Sequence, residues 1–298
     1  MKRCAFLSTD NLEGYFVYDE LLYAPLKQVG WQVDAVSWHD TEVDWNTYDV
    51  VVVRSTWDYQ QHAKAFMHCL TRIDDSSAIL ANSLRLLNWN VSKEYLQDIA
   101  SQGIAVVPTI WLQDFDLSSV SGGFEYFDCE RIVIKPQVSA NADHTYMLDR
   151  EQLLAQAKAL KSVFSDRAFM VQPFIEAVTT QGEYSLFYFN GHYSHAILKI
   201  PEQGDFRVQE EHGGRLQEEH GGRLQAVQPD EEMLTQARHT MAAMPDDALY
   251  ARIDLLRYRG EYVVIEIELI EPSLYFNMDS ASPGRFVEAF VESFGMGE

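Results

Sequence analysis

Cysteine and basic residues are scarce in this chain of 298 residues. Its three cysteines, Cys4, Cys69 and Cys129, lie far apart and show neither metal-site spacing nor a disulfide framework, so a reducing cytoplasm is expected. The 23 lysines and arginines stand against 45 acids and leave a formal net charge of −22. That charge argues against nucleic acid and anionic membrane surfaces as partners, although a small anion responds to local Lys and Arg.

Long apolar runs are absent too. No stretch approaches the length that spans a bilayer, and the apolar run before Asp10 is too short for a signal peptide. We therefore expect no membrane partner. The length suits one large domain or two to three small ones that share a core.

Strand and helix patterns alternate in the first third of the chain. The predicted strands are Cys4–Ser8, Gln32–Trp38 and Asp49–Arg54, and the predicted helices are Asp19–Gln28 and Gln60–Arg72. This alternation predicts a parallel α/β sheet, in which ligands bind beyond the carboxyl ends of the strands. Four polar residues follow the third strand: Arg54, Ser55, Thr56 and Asp58. We interpret them as a site for a polar, anionic substrate group. The alternative is that Trp57 and Tyr59 simply cap the core there.

Shorter elements follow in the middle of the chain. The predicted elements are a helix capped by Ser92 and ended by Gly103, strands at Val106–Leu112, Arg131–Pro136 and Ala168–Gln172, and a helix opened by the capping box Asp149–Gln152. The segment Leu117–Gly123, rich in Ser and Gly, is predicted to be a loop.

The last third predicts an antiparallel sheet. Asn190-Gly191 joins two strands as a hairpin turn, and helices are predicted from Asp230 to Ala243 and over Pro283–Phe294. Between them, the octapeptide Gln209–Leu216 is repeated as Gln217–Leu224. We expect one copy to be an exposed extension of a surface segment, because lengthening a loop costs little.

A second hairpin, in Leu249–Leu274, carries paired charges. Arg252 and Asp254 share a face of its first strand, and Glu266 and Glu268 share a face of its second. A divalent cation would resolve the repulsion of three carboxylates. The alternative, equally open from these residues alone, is a solvated sheet face. The three acids can share one face of the hairpin only if the turn has an odd number of residues or one strand contains a bulge. Pairing of Asp254 with Tyr262 would meet this condition.

Four motifs thus occur in a fixed order, and that order resembles the ATP-grasp superfamily of carboxylate–amine ligases. The motifs are Lys93, Lys135 with the loop after it, Gln172–Ile175 followed by Glu183, and the acidic hairpin. The resemblance covers roughly residue 82 to the C-terminus. By motif it points to bacterial glutathione synthetase and the ribosomal-protein glutamate ligases. A weaker likeness to the cycloserine-forming cyclo-ligase rests on Arg54–Tyr59 and on the acidic strand that ends in Glu271-Pro272-Ser273-Leu274.

The resemblance implies a role for each position. Nucleotide contacts are implied for Lys93, Lys135, Ser139, Gln172, Pro173, Ile175 and Glu183. Among these, the lysines would neutralise phosphates, the Pro173 carbonyl and Ile175 N–H would read the adenine edge, and Glu183 would bind the ribose. Magnesium, with manganese as the alternative, would be held by Asp254, Glu266 and Glu268. The residues Arg252, Arg207 and Lys199 would stabilise charge on the transferred phosphoryl group. Taken alone, a lysine at a strand end is usually a solvated charge, and Glu183 is more typical of a surface acid. For Lys199 the solvated alternative is as typical as the phosphoryl contact.

The loop after Lys135 departs from the superfamily pattern. Such loops are usually rich in glycine, whereas this one has none, and Ser139 and Asn141 would have to substitute.

Three pieces are predicted on this basis: an N-terminal parallel α/β substrate domain (1–81), a central ATP-grasp subdomain (82–172) and a C-terminal one with the antiparallel sheet (173–298). The expected fold class is α/β, with α+β character towards the C-terminus. The expected reaction activates a small-molecule carboxylate as an acyl phosphate with ATP and joins it to an amine. Three alternative functions stay open: a small-molecule kinase, a non-catalytic nucleotide-binding protein and a metal-dependent hydrolase. Assembly as a homo-oligomer also stays open.

Overall fold

The computed structural model describes residues 1–139, 143–201 and 222–295, and the strands of these residues form three sheets. Arg207 and most of the repeated octapeptide lie outside the described residues, as does Asn141. No helix within the described ranges combines the length and the apolar character needed to cross a membrane. The domain boundaries predicted at 81/82 and 172/173 stay predictions.

The first sheet is parallel, as the alternating pattern predicted. It has the order β2-β1-β3-β4 and consists of β1 (Lys2–Ser8), β2 (Trp31–Ser37), β3 (Val50–Ser55) and β4 (Ile79–Ala81). The helices of this part are α1 (Tyr23–Gln28) and α2 (Ala63–Asp74). Every residue of β3 is buried, and its valines pack alternately into two hydrophobic clusters. A parallel strand covered on both faces has this continuous apolar sequence.

The second sheet is antiparallel, with the order β5-β8-β6-β7. Its strands are β5 (Ile110–Leu112), β6 (Ile132–Pro136), β7 (Tyr146–Leu148) and β8 (Phe169–Pro173). The helices of this part are α3 (Leu84–Asn90), α4 (Tyr95–Ser101), α5 (Leu117–Phe127) and α6 (Arg150–Phe164). The capping box predicted at the start of α6 is present, since Asp149 and Gln152 each bind the other's backbone N–H.

Helix α5 occupies the segment predicted to be a loop, so that prediction was wrong. Asp116 caps the helix by accepting a hydrogen bond from the Ser119 N–H at 2.8 Å. Val120, Phe124 and Phe127 then form one buried face. Gly123, which suggested a loop, lies where a Cβ atom would come within 3.3 Å of Val171. Close packing against the sheet therefore explains the glycine.

Two smaller predictions in this region were also wrong. Helix α4 begins at Tyr95 rather than after Ser92, with Glu94 at the N-cap position. Strand β5 is shorter than Val106–Leu112 because Val106 and its neighbours pair with the third sheet instead. The Val107 N–H donates to the Val264 carbonyl at 3.1 Å, and a β-bridge joins Val106 to Val264.

The third sheet is antiparallel and has the order β11-β10-β9-β12-β13. Its strands are β9 (Glu183–Phe189), β10 (His192–Pro201), β11 (Gly222–Val227), β12 (Tyr250–Tyr258) and β13 (Glu261–Glu268), and its helices are α7 (Ala177–Thr180), α8 (Glu231–Ala242) and α9 (Ser282–Phe294). One face of β9 packs with the first sheet and α9, and the other packs with α4 and α8. The end of the repeated octapeptide, Gly222–Leu224, lies in β11.

A bulge sets the register of the β12–β13 hairpin. Arg259 and Gly260 form the turn with φ of +49° and +96°, and Tyr258 pairs with Glu261. Continued without interruption, this pairing would place Asp254 opposite Ile265. A register shift after Asp254 instead brings Glu266 opposite it. The bulge is one of the two predicted alternatives, the other being an odd-numbered turn. The predicted pairing of Asp254 with Tyr262 was wrong, because Tyr262 pairs with Arg257.

Candidate active site

One cavity collects most of the residues singled out in the sequence. It lies where the second and third sheets approach each other and is lined from both. The predicted site residues that line it are Lys93, Lys135, Ser139, Gln172, Pro173, Ile175, Glu183, Lys199, Arg252, Asp254, Glu266 and Glu268. Segments more than 170 residues apart in the sequence therefore meet in one site.

Of the four described cations that line the cavity, three are paired with its acids. The Lys93 ammonium lies 2.9 Å from Glu266, and the Lys199 ammonium lies 2.9 Å from Glu183. Arg252 binds Asp254 at 2.9 Å and also contacts Glu268. Burial alone would lower the pKa of Lys199, but the fields of Asp254 and Glu183 raise it above its ordinary value. Lys199 and Arg252, whose pKa values the neighbouring acids raise, therefore stay protonated while they hold those acids.

Lys135 is the fourth cation and has no carboxylate within ion-pair distance among the described residues. Its side chain is buried at the end of β6, with 8% of the residue exposed. Burial, together with the like charge of Lys93, lowers its pKa against the opposing field of Glu266. A buried ammonium without a counterion is costly. An anion in the cavity would compensate it.

The three acids predicted to bind metal line the same cavity. Burial would raise the pKa of Asp254, but Arg252 and Lys199 lower it, and Ser185 donates a hydrogen bond to it at 2.5 Å. Burial and the neighbouring carboxylates raise the pKa of Glu268. Within the described ranges, no three Asp, Glu, His or Cys groups lie close enough to hold one metal ion. The donor chemistry fits magnesium, but Lys93 and Arg252 would first have to release the glutamates.

The segment after β8 forms another wall of the cavity. Gln172 is buried and donates to the Thr109 hydroxyl at 2.9 Å, while Pro173 and Ile175 line the cavity. In the described part of the chain, the Ile175 N–H donates to no acceptor. The neighbouring apolar lining is supplied by Val107, Val133, Phe174, Val178 and Leu256. An apolar wall with one available N–H suits a planar heterocycle.

Ser139 closes this side of the cavity. Its hydroxyl makes only a long contact, 3.4 Å, with the Pro136 carbonyl. Its own carbonyl accepts a hydrogen bond from the Lys93 ammonium at 2.9 Å. The backbone of Ser139 therefore positions Lys93 in this structure.

The polar residues after β3 do not line the cavity. Arg54 is 2% exposed and donates to Asp19 at 2.8 Å and to the Pro272 carbonyl at 3.1 Å. Ser55 donates to the same carboxylate at 2.9 Å, and Thr56 is fully buried. Asp58 binds three side chains: Thr9, Trp38 and His39. Arg54, Ser55 and Asp58 are thus held by internal contacts, whereas the buried Thr56 hydroxyl has no hydrogen-bond partner among the described residues. The role of all four towards substrate stays a prediction.

Trp57 and Tyr59, for which the alternative prediction was a cap on the core, line the cavity together with Glu271 and Ser273. None of these four residues was predicted to be a site residue. The signal for Glu271 was available, since it is the third acid of the run that contains Glu266 and Glu268.

Comparisons with known proteins identify the fold. Residues 4–88 match the family model described as the N-terminal domain of D-cycloserine synthetase DcsG. The cycloserine biosynthesis protein DcsG of Streptomyces lavendulae is 26% identical over 280 residues, covering 89% of this chain and 90% of that protein. A crystal structure of D-cycloserine synthetase DcsG superposes with a TM-score of 0.85 at 25% identity, covering 98% of this chain and 99% of that one.

A further neighbour is the ATP-grasp ligase PsnB complexed with a phosphomimetic variant of its minimal precursor, Mg and ADP. It has a TM-score of 0.66 at 14% identity and covers 98% of each chain. This chain has the fold of the ATP-grasp ligases. The predicted ATP-grasp fold is confirmed, and so is the predicted class of ATP-dependent carboxylate–amine ligases. The likeness to the cycloserine-forming enzyme extends along the whole chain.

Proposed function

We propose that this ATP-grasp ligase is an ATP- and magnesium-dependent cyclo-ligase that closes the ring of D-cycloserine or a close analogue. The observation that carries this proposal is the match to a D-cycloserine synthetase over 98% of the chain. That match includes the N-terminal part, which supplies Trp57 and Tyr59 to the cavity. D-cycloserine contains a bond between a carboxyl carbon and a nitrogen on the side-chain oxygen of the same amino acid. Closing its ring is therefore an intramolecular carboxylate–amine ligation.

The nucleotide would occupy the side of the cavity formed by β6 and the segment after β8. Lys135 supports this placement, because no described carboxylate pairs with its buried ammonium and phosphate would supply the counterion. The Ile175 N–H and the Pro173 carbonyl would take the adenine edge. Glu183 would take the ribose after releasing Lys199, its partner in this structure.

Binding would exchange the ion-pair partners of the site. The phosphates would draw Lys93, Lys199 and Arg252 away from the acids that now hold them, with Arg207 as a further proposed contact. Asp254, Glu266 and Glu268 would then be available as magnesium ligands. The metal would neutralise charge on the phosphates. The gain in both sets of contacts offsets the five ion pairs that are lost.

The reaction follows from this arrangement. The substrate carboxylate attacks the γ-phosphate, and ADP leaves. The side-chain nitrogen then attacks the acyl phosphate, and inorganic phosphate leaves. Positioning and charge neutralisation supply the catalysis, so no covalent bond to the protein is needed.

The test is an incubation of the protein with magnesium-ATP and β-aminooxy-D-alanine. We expect ADP release in a coupled assay and D-cycloserine by mass spectrometry, with little product from the L enantiomer. A phosphorylated carboxylate without a new C–N bond would identify a kinase. ADP release only with a mixture of D-alanine and a second amine would identify an intermolecular ligase. No ADP release with any carboxylate would overturn the ligase proposal.

A further inference from the structure

The segment that follows β13 is held by side chains from two separate parts of the fold, the end of β3 and strand β10. We name residues Glu271–Leu274 the anchored segment. The Trp57 indole N–H donates to the Glu271 carbonyl at 3.1 Å, and Arg54 donates to the Pro272 carbonyl at 3.1 Å. The His195 ring contacts the Leu274 carbonyl at 3.0 Å. Three of the four carbonyls thus have a side-chain partner distant in the sequence, which fixes the backbone at the mouth of the ligase cavity.

The histidine contact is itself fixed by a chain of hydrogen bonds. Arg285 Nε donates to Ser194 Oγ at 2.9 Å, and Ser194 Oγ lies 2.9 Å from His195 Nδ1. Because the Leu274 carbonyl can only accept, Nε2 carries the proton, and Nδ1 of the neutral ring accepts from the Ser194 hydroxyl, which in turn accepts from Arg285. A neutral histidine in one tautomer therefore supports the anchored segment.

The Glu271 side chain is the part of this segment that faces the reaction. It lines the cavity together with Ser273. Unlike the other glutamates of the cavity, it has no cation within ion-pair distance among the described residues. The charged and titratable groups that face it are Lys93, Glu266, Glu268, Arg252, Tyr59 and Tyr250. Glu271 is therefore not used to balance the nucleotide-binding cations.

The surroundings of Glu271 suit proton transfer. Burial and the neighbouring Glu266 raise its pKa to about 8, against the opposing field of Lys93. A group that titrates near neutral pH exchanges a proton with a reacting nitrogen at little cost. The indole of Trp57, stacked on Tyr15 with ring centroids 5.1 Å apart, lines the cavity too and contributes an apolar surface.

On the basis of the cyclo-ligase function proposed above, we propose that Glu271 is the catalytic residue that holds the attacking nitrogen and takes its proton. The nitrogen forms its bond to the carbonyl carbon as the bond from that carbon to the phosphate oxygen breaks. Inorganic phosphate leaves, and the surplus proton on nitrogen passes to the Glu271 carboxylate. Formation of the acyl phosphate does not need Glu271, whereas ring closure does. Loss of Glu271 therefore impairs the second half-reaction and leaves the first intact.

The test compares Glu271→Gln with wild type, using β-aminooxy-D-alanine and magnesium-ATP. Glutamine keeps the shape of the side chain but cannot take the proton. We expect D-cycloserine formation to fall by about 100-fold or more. ADP formation in a single turnover stays near wild type, and added hydroxylamine traps the accumulated acyl phosphate as a hydroxamate. Wild type should lose activity as the pH falls below about 8, and the glutamine variant should lack that dependence.

Control variants distinguish failure of the proposed function from failure of the proposed role of Glu271. Glu271→Asp keeps a carboxylate and should retain part of the activity, which also covers a glutamine variant that does not fold. Glu288→Gln, on the exposed face of α9, should behave as wild type. If wild type makes no D-cycloserine, the proposed function fails. If wild type is active and Glu271→Gln cyclises equally fast, or loses ADP formation in the same proportion, the role of Glu271 is overturned.

Discussion

Lys135 gives the most direct residue-scale test of the nucleotide site. Its ammonium is buried and lacks an ion pair among the described residues, so its removal leaves no unpaired carboxylate behind. Lys135→Ala should weaken ATP binding by about 1.5–3 kcal/mol, the usual worth of a charge-assisted hydrogen bond. Calorimetry measures that loss. Lys158→Ala, exposed on α6, is the matched control, and unchanged affinity in Lys135→Ala would contradict the phosphate contact.

Arg54 has a different environment from the one its sequence position suggests. It pairs with Asp19 and also holds the Pro272 carbonyl. Lysine keeps the charge but cannot make both contacts. Arg54→Lys should therefore lower the melting temperature as well as ligase activity, because breaking a buried pair is strongly destabilising. A higher KM for the carboxylate substrate with an unchanged melting temperature would instead support the substrate contact predicted from the sequence.

His195 predicts how stability depends on pH. Burial lowers its pKa to about 4 in the folded chain, from an ordinary value of 6.5. The unfolded chain therefore takes up a proton first, and the stability contributed by neutral His195 is present above pH 6.5. It is lost as the pH falls towards 4, by about 3 kcal/mol at most. Melting curves of wild type should fall more steeply over this window than those of His195→Gln. Parallel curves would contradict the assignment.

At the scale of elements, the sequence correctly predicted features that depend on residues close together in the chain. Asn190-Gly191 formed its hairpin and Asp149–Gln152 its capping box, because both depend on neighbouring residues. Helix α5 was missed because Gly123 serves contacts with a distant strand. The requirement that the acids converge left a choice between an odd-numbered turn and a bulge, and the structure has the bulge. The exact pairing was not predicted, since it depends on the turn at Arg259-Gly260.

Strand β11 changes the interpretation of the repeated octapeptide. The second copy ends in this strand, where Leu224 pairs with Lys199 and packs against a hydrophobic cluster. We predicted that one copy would be an exposed extension. The second copy does not wholly fit that prediction, because its end forms part of β11. Deleting Gln217–Leu224 nevertheless joins an identical Gly-Gly-Arg-Leu to Gln225 and restores the strand sequence. We expect the deletion to leave the melting temperature nearly unchanged.

A point substitution distinguishes strand from extension. Leu224→Ser removes a partly buried apolar side chain, worth about 1 kcal/mol. It should lower the melting temperature by about 2 °C. Calorimetry of the deletion and of this variant gives the comparison. A deletion more damaging than Leu224→Ser would show that both copies contribute to the fold.

At the scale of the molecule, the order of motifs predicted which residues share a cavity, because the superfamily keeps that order. It did not predict their partners. Lys93, Lys199 and Arg252 were assigned to phosphate, yet each is paired with an acid in this structure. Likewise, Arg54 follows a strand end but is enclosed by Asp19 and Pro272, which come from segments 35 and 218 residues away. Such contacts depend on how the sheets pack against each other and leave no periodic signal in the sequence.

The exchange of ion pairs proposed for the cavity predicts that magnesium and nucleotide bind cooperatively. Without nucleotide, Lys93 and Arg252 occupy the acids that would hold the metal. Phosphate draws these cations away and frees the carboxylates. A non-hydrolysable ATP analogue and magnesium together should thus raise the melting temperature by more than the sum of their separate effects.

Magnesium alone also stabilises a chain of net charge −22 by screening repulsion, so the comparison needs a variant. Glu268→Gln removes one proposed ligand and should leave that screening nearly intact. We expect the variant to keep the separate effect of the analogue but to lose the excess, because only the excess depends on the freed carboxylates. Strictly additive shifts in wild type would contradict the exchange. An undiminished excess in Glu268→Gln would place the metal on other ligands.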